Sequence, residues 1–366
     1  MIFLFGALCV WFLFSFRIRK KDDLPPLSLN ETLIIRGVCA LIIILSHLRQ
    51  YSSFDNQFDQ SLIRILDIIG QFSVAPFLFF SGYGVSESIK KDKTYPLLMP
   101  VNRILRILLD FDLMLIPFFI LSFIGREPYS IQTYFLSLIG LSSIGNSSWF
   151  LFAILVMYFL TFLCFAPWPS KKGPWVRTGL LCCLVLAYVL VMKKLGYDSW
   201  WFDTALCYPL GFLIALSKDL VAKRINKSWI KKSLFALTLM TFFGIYILPS
   251  ILNKTNLYFD IGGQLLGCLF IVSTLLLFKL KSRSLTFIGK ASLEIFVLQR
   301  IPMIIFSSYL KISNYILFGY VCFLIAVLLG LAWMFLTKTI NGITIDPLLK
   351  WAKARMSGPI SSDDQK

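Results

Sequence analysis

Apolar residues occur along this chain in long runs, separated by short polar segments that carry most of the charge. About twenty apolar residues in succession suffice for an α-helix to cross a bilayer. The runs occupy residues 1–16, 31–49, 67–87, 104–125, 148–166, 178–196, 203–217, 233–250, 258–278, 287–310 and 314–337. This pattern predicts an all-α, polytopic membrane bundle of about 11 transmembrane helices, or about ten if the first run is too short to span.

Lysine and arginine are distributed unevenly between alternate loops of this predicted bundle. Of 36 such residues, 27 fall in one set of loops and the tail, and only seven fall in the opposite loops. The basic set comprises residues 17–30, 88–106, 167–177, 218–232, 279–290 and the tail from 338. Because cytoplasmic loops are enriched in Lys and Arg, this distribution predicts an external N-terminus and a cytoplasmic C-terminus. The shorter apolar segment 129–142 is interpreted as interfacial or re-entrant, since another span would break the alternation.

The composition excludes a soluble protein and narrows the choice of partners. Hydrophobic residues make up 57% of the chain, charged residues 15%, and the mean hydropathy is +0.77, which is typical of polytopic membrane proteins. The net charge of +17 comes from short clusters between apolar runs, so we expect no nucleic-acid partner. The eight cysteines lie mostly within apolar runs without Cys-x-x-Cys spacing, and the chain has one histidine. We therefore expect neither a disulfide framework nor a metal site.

Residues 31–51 carry an arginine and the single histidine inside one predicted helix. His47 follows Arg36 by eleven positions, so on an α-helix the two lie about 16 Å apart along the axis and face the same way. A cation and an imidazole within a bilayer are unfavourable unless that side faces protein or a water-filled path. The pattern predicts that this helix lines a tunnel, with Arg36 near the cytoplasmic face and His47 toward the exterior. In a purely structural alternative, Arg36 reaches the headgroups and His47 bonds a neighbouring helix.

The two side chains suit different parts of one reaction. The imidazole exchanges protons near neutral pH, which makes His47 a candidate general base or nucleophile. Arg36 keeps its charge, and a guanidinium at the cytoplasmic end suits an anionic ligand such as a phosphate. Arg103 and Arg106 share a helix face three residues apart and could also bind phosphates. Arg106 could instead neutralise Asp110 four residues on.

Six further polar or aromatic residues interrupt the apolar runs. They are Ser81, Tyr83, Trp149, Glu294, Gln299 and Arg300. Packing beside glycines is a sufficient account of the first two, and an interfacial aromatic belt is a sufficient account of the tryptophan. The last three lie in one apolar run, and each needs a partner on another helix because a bilayer offers none.

These motifs form a set that covers residues 31–337. The set comprises Arg36 with His47, Phe79-Phe80-Ser81-Gly82-Tyr83, Asn102-Arg103-Ile104-Leu105-Arg106, Trp149-Phe150-Leu151 and Gly289 through Gln299. In content and order it resembles the integral-membrane acyltransferase family of type three, whose members O-acylate sugars and other surface molecules. The resemblance implies a membrane O-acetyltransferase in the cytoplasmic membrane of a bacterium.

The resemblance also implies a co-substrate, an acceptor and residue roles. Acetyl-CoA would enter from the cytoplasm with its phosphates held by Arg36, Arg103 and Arg106. His47 would deprotonate an acceptor hydroxyl or carry the acyl group, and both transfer routes stay open. The acceptor would be a glycan or lipid-linked sugar, with membrane lipid as the surroundings. Candidate acceptor-binding residues are Ser81, Tyr83, Trp149, Glu294 and Gln299.

This interpretation divides the chain into three parts. Residues 1–30 would form an extra helix and a basic linker, residues 31–337 the acyltransferase unit, and residues 338–366 a basic cytoplasmic tail. We expect the last eleven residues to be disordered. A transporter or flippase for lipid-linked sugars is an alternative that explains scattered intramembrane charges, although no internal repeat supports it. A structural or regulatory membrane protein is the other.

Overall fold

The chain folds almost entirely into α-helices, which confirms the predicted fold class. The computed structural model describes residues 1–20, 22–52, 57–125, 128–166, 173–225 and 227–356. The α-helices are α1 (Ile2–Leu13), α2 (Leu29–Leu48), α3 (Gln57–Phe72), α4 (Ala75–Lys91), α5 (Tyr95–Met99), α6 (Arg106–Ile124), α7 (Ile131–Leu138), α8 (Trp149–Phe165), α9 (Pro174–Lys194), α10 (Cys207–Arg224), α11 (Ser228–Phe242), α12 (Leu248–Ile251), α13 (Leu257–Leu277), α14 (Arg283–Lys290), α15 (Ser292–Leu298), α16 (Arg300–Ile304), α17 (Tyr315–Ile343) and α18 (Ile345–Met356). Strands β1 (Phe16–Ile18) and β2 (Phe278–Leu280) form one antiparallel ribbon, which the sequence does not predict.

Tighter or wider helical turns join several of these helices. Wider, π-type turns occupy Pro100–Leu105, Phe243–Ile247 and Ile305–Tyr309, and a short 3₁₀ turn occupies Ser199–Trp201. The first π-type turn carries Arg103 directly into α6. Such turns rotate the side chains that follow them relative to a regular helix. Arg103 and Arg106 therefore do not have to share the face that a regular helix would give them.

Seven helical segments of the described chain are long and apolar enough to cross a membrane. They are Leu29–Leu48, Asp59–Lys91, Tyr95–Ile124, Pro174–Lys194, Ser228–Ile251, Leu257–Leu277 and Tyr315–Met356. The bent pair Arg283–Lys290 and Ser292–Tyr309, which meet at 61°, makes eight if it is one span. Helices α1 and α8 are shorter apolar helices. The count of about 11 spans and the orientation of the bundle stay predictions.

Two segments outside these spans bear on the predicted boundaries. Helix α7 has eight residues, too few to cross a bilayer, and it lies within the segment 129–142 that is interpreted as interfacial or re-entrant. At the other end, α17 continues beyond residue 337 and α18 follows it. The prediction of disorder is wrong for Met356, which is the last residue of α18. Residues 357–366 of the predicted disordered end lie outside the described residues.

Helix α2 occupies the centre of the bundle. Burial covers 78% of its apolar window, against 11% for the segment Ser228–Ile251. A glycine contact with α14 makes this depth possible. A Cβ atom at Gly289 would lie 1.9 Å from the carbonyl oxygen of Leu33, and one at Gly37 would lie 2.5 Å from that of Leu285. Only glycine fits so close an approach of two backbones, so this crossing fixes how deeply α2 sits in the protein.

Helices α4 and α10 cross with the same kind of contact. A Cβ atom at Gly82 would lie 2.0 Å from the carbonyl oxygen of Tyr208. A Cβ atom at Gly211 would lie equally close, at 2.0 Å, to the carbonyl oxygen of Phe79. The glycine of the Ser-Gly pair in α4 is therefore a packing requirement. The tight crossing leaves the preceding serine on the side of α4 that faces α8.

A buried ion pair closes the start of α2. Glu31 is 2% exposed, and its carboxylate accepts hydrogen bonds from the backbone N–H of Ser28 (3.1 Å) and from the guanidinium of Arg19. Arg19 also donates through Nε to the carbonyl oxygen of Leu275 (2.7 Å), near the end of α13. The linker is thereby tied to both α2 and α13. Arg19 belongs to the basic loop segment 17–30 that predicts the orientation of the bundle, and it therefore also stabilises the fold.

Candidate active site

Arg36 and His47 each line a cavity inside the bundle. The cavity at Arg36, which we call the Arg36 chamber, has a volume of about 670 Å³ and reaches α4, α8 and the segment that precedes α2. The cavity at His47, the His47 chamber, has a volume of about 490 Å³ and lies near the C-terminal end of α2. Both volumes are in the range of small-molecule sites. The two side chains predicted to share one tunnel therefore open into two chambers.

The Arg36 chamber is strongly basic. Its cationic lining residues are Arg36, Lys91, Arg103 and Lys218. Among the described residues, the only carboxylate of the lining is that of Glu87, and Lys90 and Lys218 already pair with it. Neither arginine has an ion-pair partner in the described part of the chain. The chamber thus carries a net positive charge, which suits the phosphates of a ligand.

Aromatic rings hold the two arginines of the Arg36 chamber. The guanidinium carbon of Arg36 lies 5.7 Å from the ring centroid of Phe77, and its Nε is buried without a hydrogen-bond partner. Arg103 donates through Nε to the hydroxyl of Tyr95 (2.6 Å) and lies 5.8 Å from the ring centroid of Tyr158. Cation–π contacts orient a guanidinium without cancelling its charge. Both arginines therefore keep their charge for a bound anion.

Ser81 and Tyr83, predicted to bind the acceptor, also line the Arg36 chamber. The Oγ atom of Ser81 lies 2.6 Å from the hydroxyl oxygen of Tyr158, within hydrogen-bonding distance. Tyr158 in turn contacts Arg103. The structure thus places these residues with the basic groups and away from His47.

Arg106 lines neither chamber. Its guanidinium forms an ion pair with Asp346 of α18. Asp110, the other partner considered for Arg106, accepts a hydrogen bond from the Nδ2 of Asn341 (2.6 Å). The predicted pair of phosphate-binding arginines is therefore divided, with Arg103 in the chamber and Arg106 outside it.

The His47 chamber has a different character. Trp149, predicted to bind the acceptor, lines it together with Arg300. The Nδ1 atom of His47 is buried without a hydrogen-bond partner, and Gln299 is a polar neighbour of the imidazole. Gln299 donates through Nε2 to the carbonyl oxygen of Phe296 (2.9 Å), while its side-chain oxygen is buried and unpartnered. The unpartnered Nδ1 atom leaves the imidazole one nitrogen with which to exchange a proton with a substrate.

Glu294 lines neither chamber. It is 7% exposed and accepts a hydrogen bond from Oγ1 of Thr337 (3.1 Å), and its second oxygen is buried without a partner. The structure therefore places Glu294 outside both chambers, and its predicted role at the acceptor stays a prediction.

An aromatic partition, formed by Phe77, Phe150 and Phe296, separates the two chambers. Phe296 is 3% exposed and lines both cavities. Its ring centroid lies 5.1 Å from that of Phe150, which lies 6.0 Å from that of Phe77. Trp149 packs edge-on against Phe296 from the side of the His47 chamber, at 6.3 Å. Where the sequence predicts one continuous path, the structure has two chambers that meet at this partition.

Several charged residues of the chambers, among them Lys91, Lys218 and Arg300, are absent from the set of predicted site residues. Lys91 and Lys218 lie near the ends of α4 and α10, where the sequence pattern indicates ordinary loop charges. Arg300 does carry a signal, because a charge within an apolar run is a functional candidate. The sequence does not reveal that Arg300 and His47 line the same cavity.

Comparisons with known proteins support a specific assignment. A protein-family model described as an acyltransferase domain matches residues 33–337, most of the chain. No curated protein and no solved structure matches this chain. The matched region contains both candidate catalytic residues and every predicted site residue.

Proposed function

The chain belongs to the acyltransferase family of type three, and on this premise we propose that it is a membrane O-acetyltransferase. The proposed donor is acetyl-CoA from the cytoplasm, and the proposed acceptor is a hydroxyl of a surface glycan or lipid-linked sugar. The observation that supports this assignment is the pair of chambers along α2. One is basic and the other contains the single imidazole.

The Arg36 chamber fits the donor. CoA carries several phosphate charges, and Arg36, Arg103 and Lys218 face one cavity with little opposing charge. Guanidinium groups bind phosphates with charge-assisted hydrogen bonds, which are roughly twice as strong as neutral ones. The positive-inside prediction places this end of α2 at the cytoplasmic face, where acetyl-CoA is made.

The His47 chamber fits the acceptor and the proton transfer. In direct transfer, the oxygen of the acceptor hydroxyl bonds to the thioester carbonyl carbon, and the imidazole of His47 takes the proton of that hydroxyl. The carbon–sulfur bond then breaks, and the CoA thiolate takes the proton from the imidazolium. In the covalent route, an imidazole nitrogen bonds to the thioester carbonyl carbon, the carbon–sulfur bond breaks, and CoA leaves as the thiol with the imidazole N–H proton. The acceptor hydroxyl then takes the acetyl group from the imidazole and gives its proton to the freed nitrogen. Both routes require the thioester to reach past Phe296.

The test compares wild type with His47→Ala and Arg36→Ala, using purified protein in detergent or membranes. We expect His47→Ala to abolish acetyl ester formation on the native glycan while donor binding persists. We expect Arg36→Ala to raise the KM for acetyl-CoA. Arg283→Ala, at an exposed position of α14 outside both chambers, is the matched control and keeps wild-type activity.

Two results would contradict the proposal. Wild-type ester levels in His47→Ala would exclude a role for the imidazole. Purified protein that moves lipid-linked sugars across vesicles without releasing CoA would instead identify a transporter. Thermal unfolding of each variant separates a loss of chemistry from a loss of folding.

A further inference from the structure

Buried hydrogen-bond donors without acceptors collect in the His47 chamber. The chamber is lined by Asn146, Ser147 and Arg300. In each of them a polar side-chain atom is buried and unpartnered: Nδ2, Oγ and Nε respectively. Such atoms destabilise a fold unless a ligand or water satisfies them. The cavity therefore offers several free hydrogen-bond donors to a ligand that supplies acceptor oxygens.

The orientation of Asn146 is fixed by its own contacts. Its Oδ1 accepts a hydrogen bond from the backbone N–H of Ile144 (3.2 Å) and lies 3.4 Å from the Oγ of Ser143. The amide nitrogen is thereby assigned to the other side, where it has no partner. Asn146 and Ser147 are 3% and 4% exposed, so their free polar atoms are not solvent-facing groups.

Arg300 adds a permanent positive charge to these donors. In the described part of the chain, no hydrogen bond or ion pair engages its guanidinium. The other charged groups of the lining are Arg49 and Asp67, which pair with each other, and Asp198, which is exposed. Arg300 is partly exposed, its Nε is buried, and an arginine keeps its proton. A partly buried cation of this kind is stabilised when a counter-ion reaches it.

We propose that the acceptor carries an anionic group, a carboxylate or a phosphate, and that Arg300 binds it together with Asn146 and Ser147. This inference rests on the proposed function and specifies its substrate class as an acidic glycan or a phosphorylated, lipid-linked sugar. The anion would hold the acceptor with its hydroxyl beside His47, which shares the chamber.

A role in stabilising the reaction's transient oxyanion is the competing explanation for Arg300. Such an oxyanion exists only during transfer, so it would leave the guanidinium without a counter-ion for the rest of the cycle. An anion on the bound acceptor satisfies it throughout the bound state. The two roles differ in kinetics: loss of acceptor binding raises KM, whereas loss of an oxyanion contact lowers kcat.

The binding test uses the full-length protein in detergent and needs no catalysis. Methyl glucuronide and methyl glucoside 6-phosphate serve as carboxylate and phosphate probes, and methyl glucoside is the neutral control at equal ionic strength. We expect one or both anions to raise the Tm of wild type, and the stronger one to identify the anionic group. Arg300→Gln loses this rise and Arg300→Lys keeps part of it, whereas Arg283→Gln behaves as wild type.

The kinetic test uses membranes that contain the native acceptor. Arg300→Gln raises the acceptor KM by about 10- to 100-fold with kcat largely kept, as expected for one charge-assisted contact. An unchanged KM with a lower kcat would overturn the proposal in favour of oxyanion stabilisation. Equal Tm shifts in wild type and Arg300→Gln would also overturn it. The Tm shift is repeated in His47→Ala, so a failure of the proposed reaction does not obscure the binding result.

Discussion

Arg103 and Arg106 are three residues apart, yet they have different environments. Arg103 faces the basic chamber and is held by Tyr95, whereas Arg106 pairs with Asp346. The carboxylate of Asp346 neutralises the guanidinium of Arg106, whereas the guanidinium of Arg103 stays available to a ligand.

This difference predicts that replacing arginine by glutamine has different effects at the two positions. Arg103→Gln should raise the KM for acetyl-CoA by about 10-fold or more, because a charge-assisted phosphate contact is lost. Arg106→Gln should leave that KM unchanged and lower stability by less than about 1 kcal/mol, since its ion pair is partly exposed. Steady-state kinetics and thermal unfolding of both variants make the comparison. A similar rise in KM for Arg106→Gln would contradict this assignment of roles.

Single-residue predictions from the sequence succeed where the information is local. The spacing of Arg36 and His47 within one helix is enough to expect both to face inward, because helical periodicity relates them directly. The ion pair of Arg106 is formed with Asp346, which lies 240 residues further along the chain. The contribution of Lys218 likewise depends on how α10 packs. No pattern within one helix carries such information.

At the level of elements, the crossing of α2 and α14 controls the position of both candidate catalytic groups. Gly289 of α14 touches the backbone of Leu33 in α2, the helix that also bears Arg36 and His47. A side chain at this contact must push the helices apart.

Gly289→Ala tests this crossing. A Cβ atom 1.9 Å from the Leu33 carbonyl oxygen forces a shift of the backbone, and overpacking of this kind destabilises proteins by about 1–3 kcal/mol. We expect a lower Tm in detergent together with a loss of transfer activity. Gly179→Ala in α9 is the matched control, because nothing lies within 4 Å of the position that its added methyl group would occupy. There, alanine raises helix propensity and should be neutral or slightly stabilising. Equal Tm values for the two variants would contradict a tight crossing.

The existence of the helices is predictable, but their pairing is less so. A bilayer requires about twenty apolar residues per span, and this requirement leaves a strong signal in each run. Which glycines meet across a crossing depends on the whole arrangement, so the contacts of Gly82 and Gly289 appear only in the structure. The ribbon of β1 and β2 escapes prediction because three-residue strands carry too short a pattern.

At the scale of the whole molecule, the aromatic partition lies between the Arg36 chamber, the proposed donor site, and the His47 chamber, the proposed acceptor site. If the thioester binds in the Arg36 chamber as proposed, the ring of Phe296 lies between it and water that enters the His47 chamber. Exclusion of water is what prevents hydrolysis of a reactive group in transfer enzymes.

Phe296→Ala should therefore increase acetyl-CoA hydrolysis when no acceptor is present. CoA released from acetyl-CoA is measured with a thiol-reactive dye, and we expect a rise of several-fold over wild type. The double variant with His47→Ala should lose this rise if the imidazole activates the water. Phe3→Ala, at a position 81% exposed on α1, is the control for loss of a phenylalanine. Hydrolysis unchanged by Phe296→Ala would show that the partition does not protect the thioester.

The ribbon between β1 and β2 has a consequence for how the protein is made. Glu31 obtains its complete set of partners only when Arg19 is anchored on the carbonyl groups that end α13. A ribosome adds residues in order, and domains at the N-terminus usually fold first. Here the start of the helix that bears His47 does not gain this complete set of contacts until some 280 residues have been translated. The contacts that anchor the start of α2 are therefore completed only after most of the helices have been synthesised.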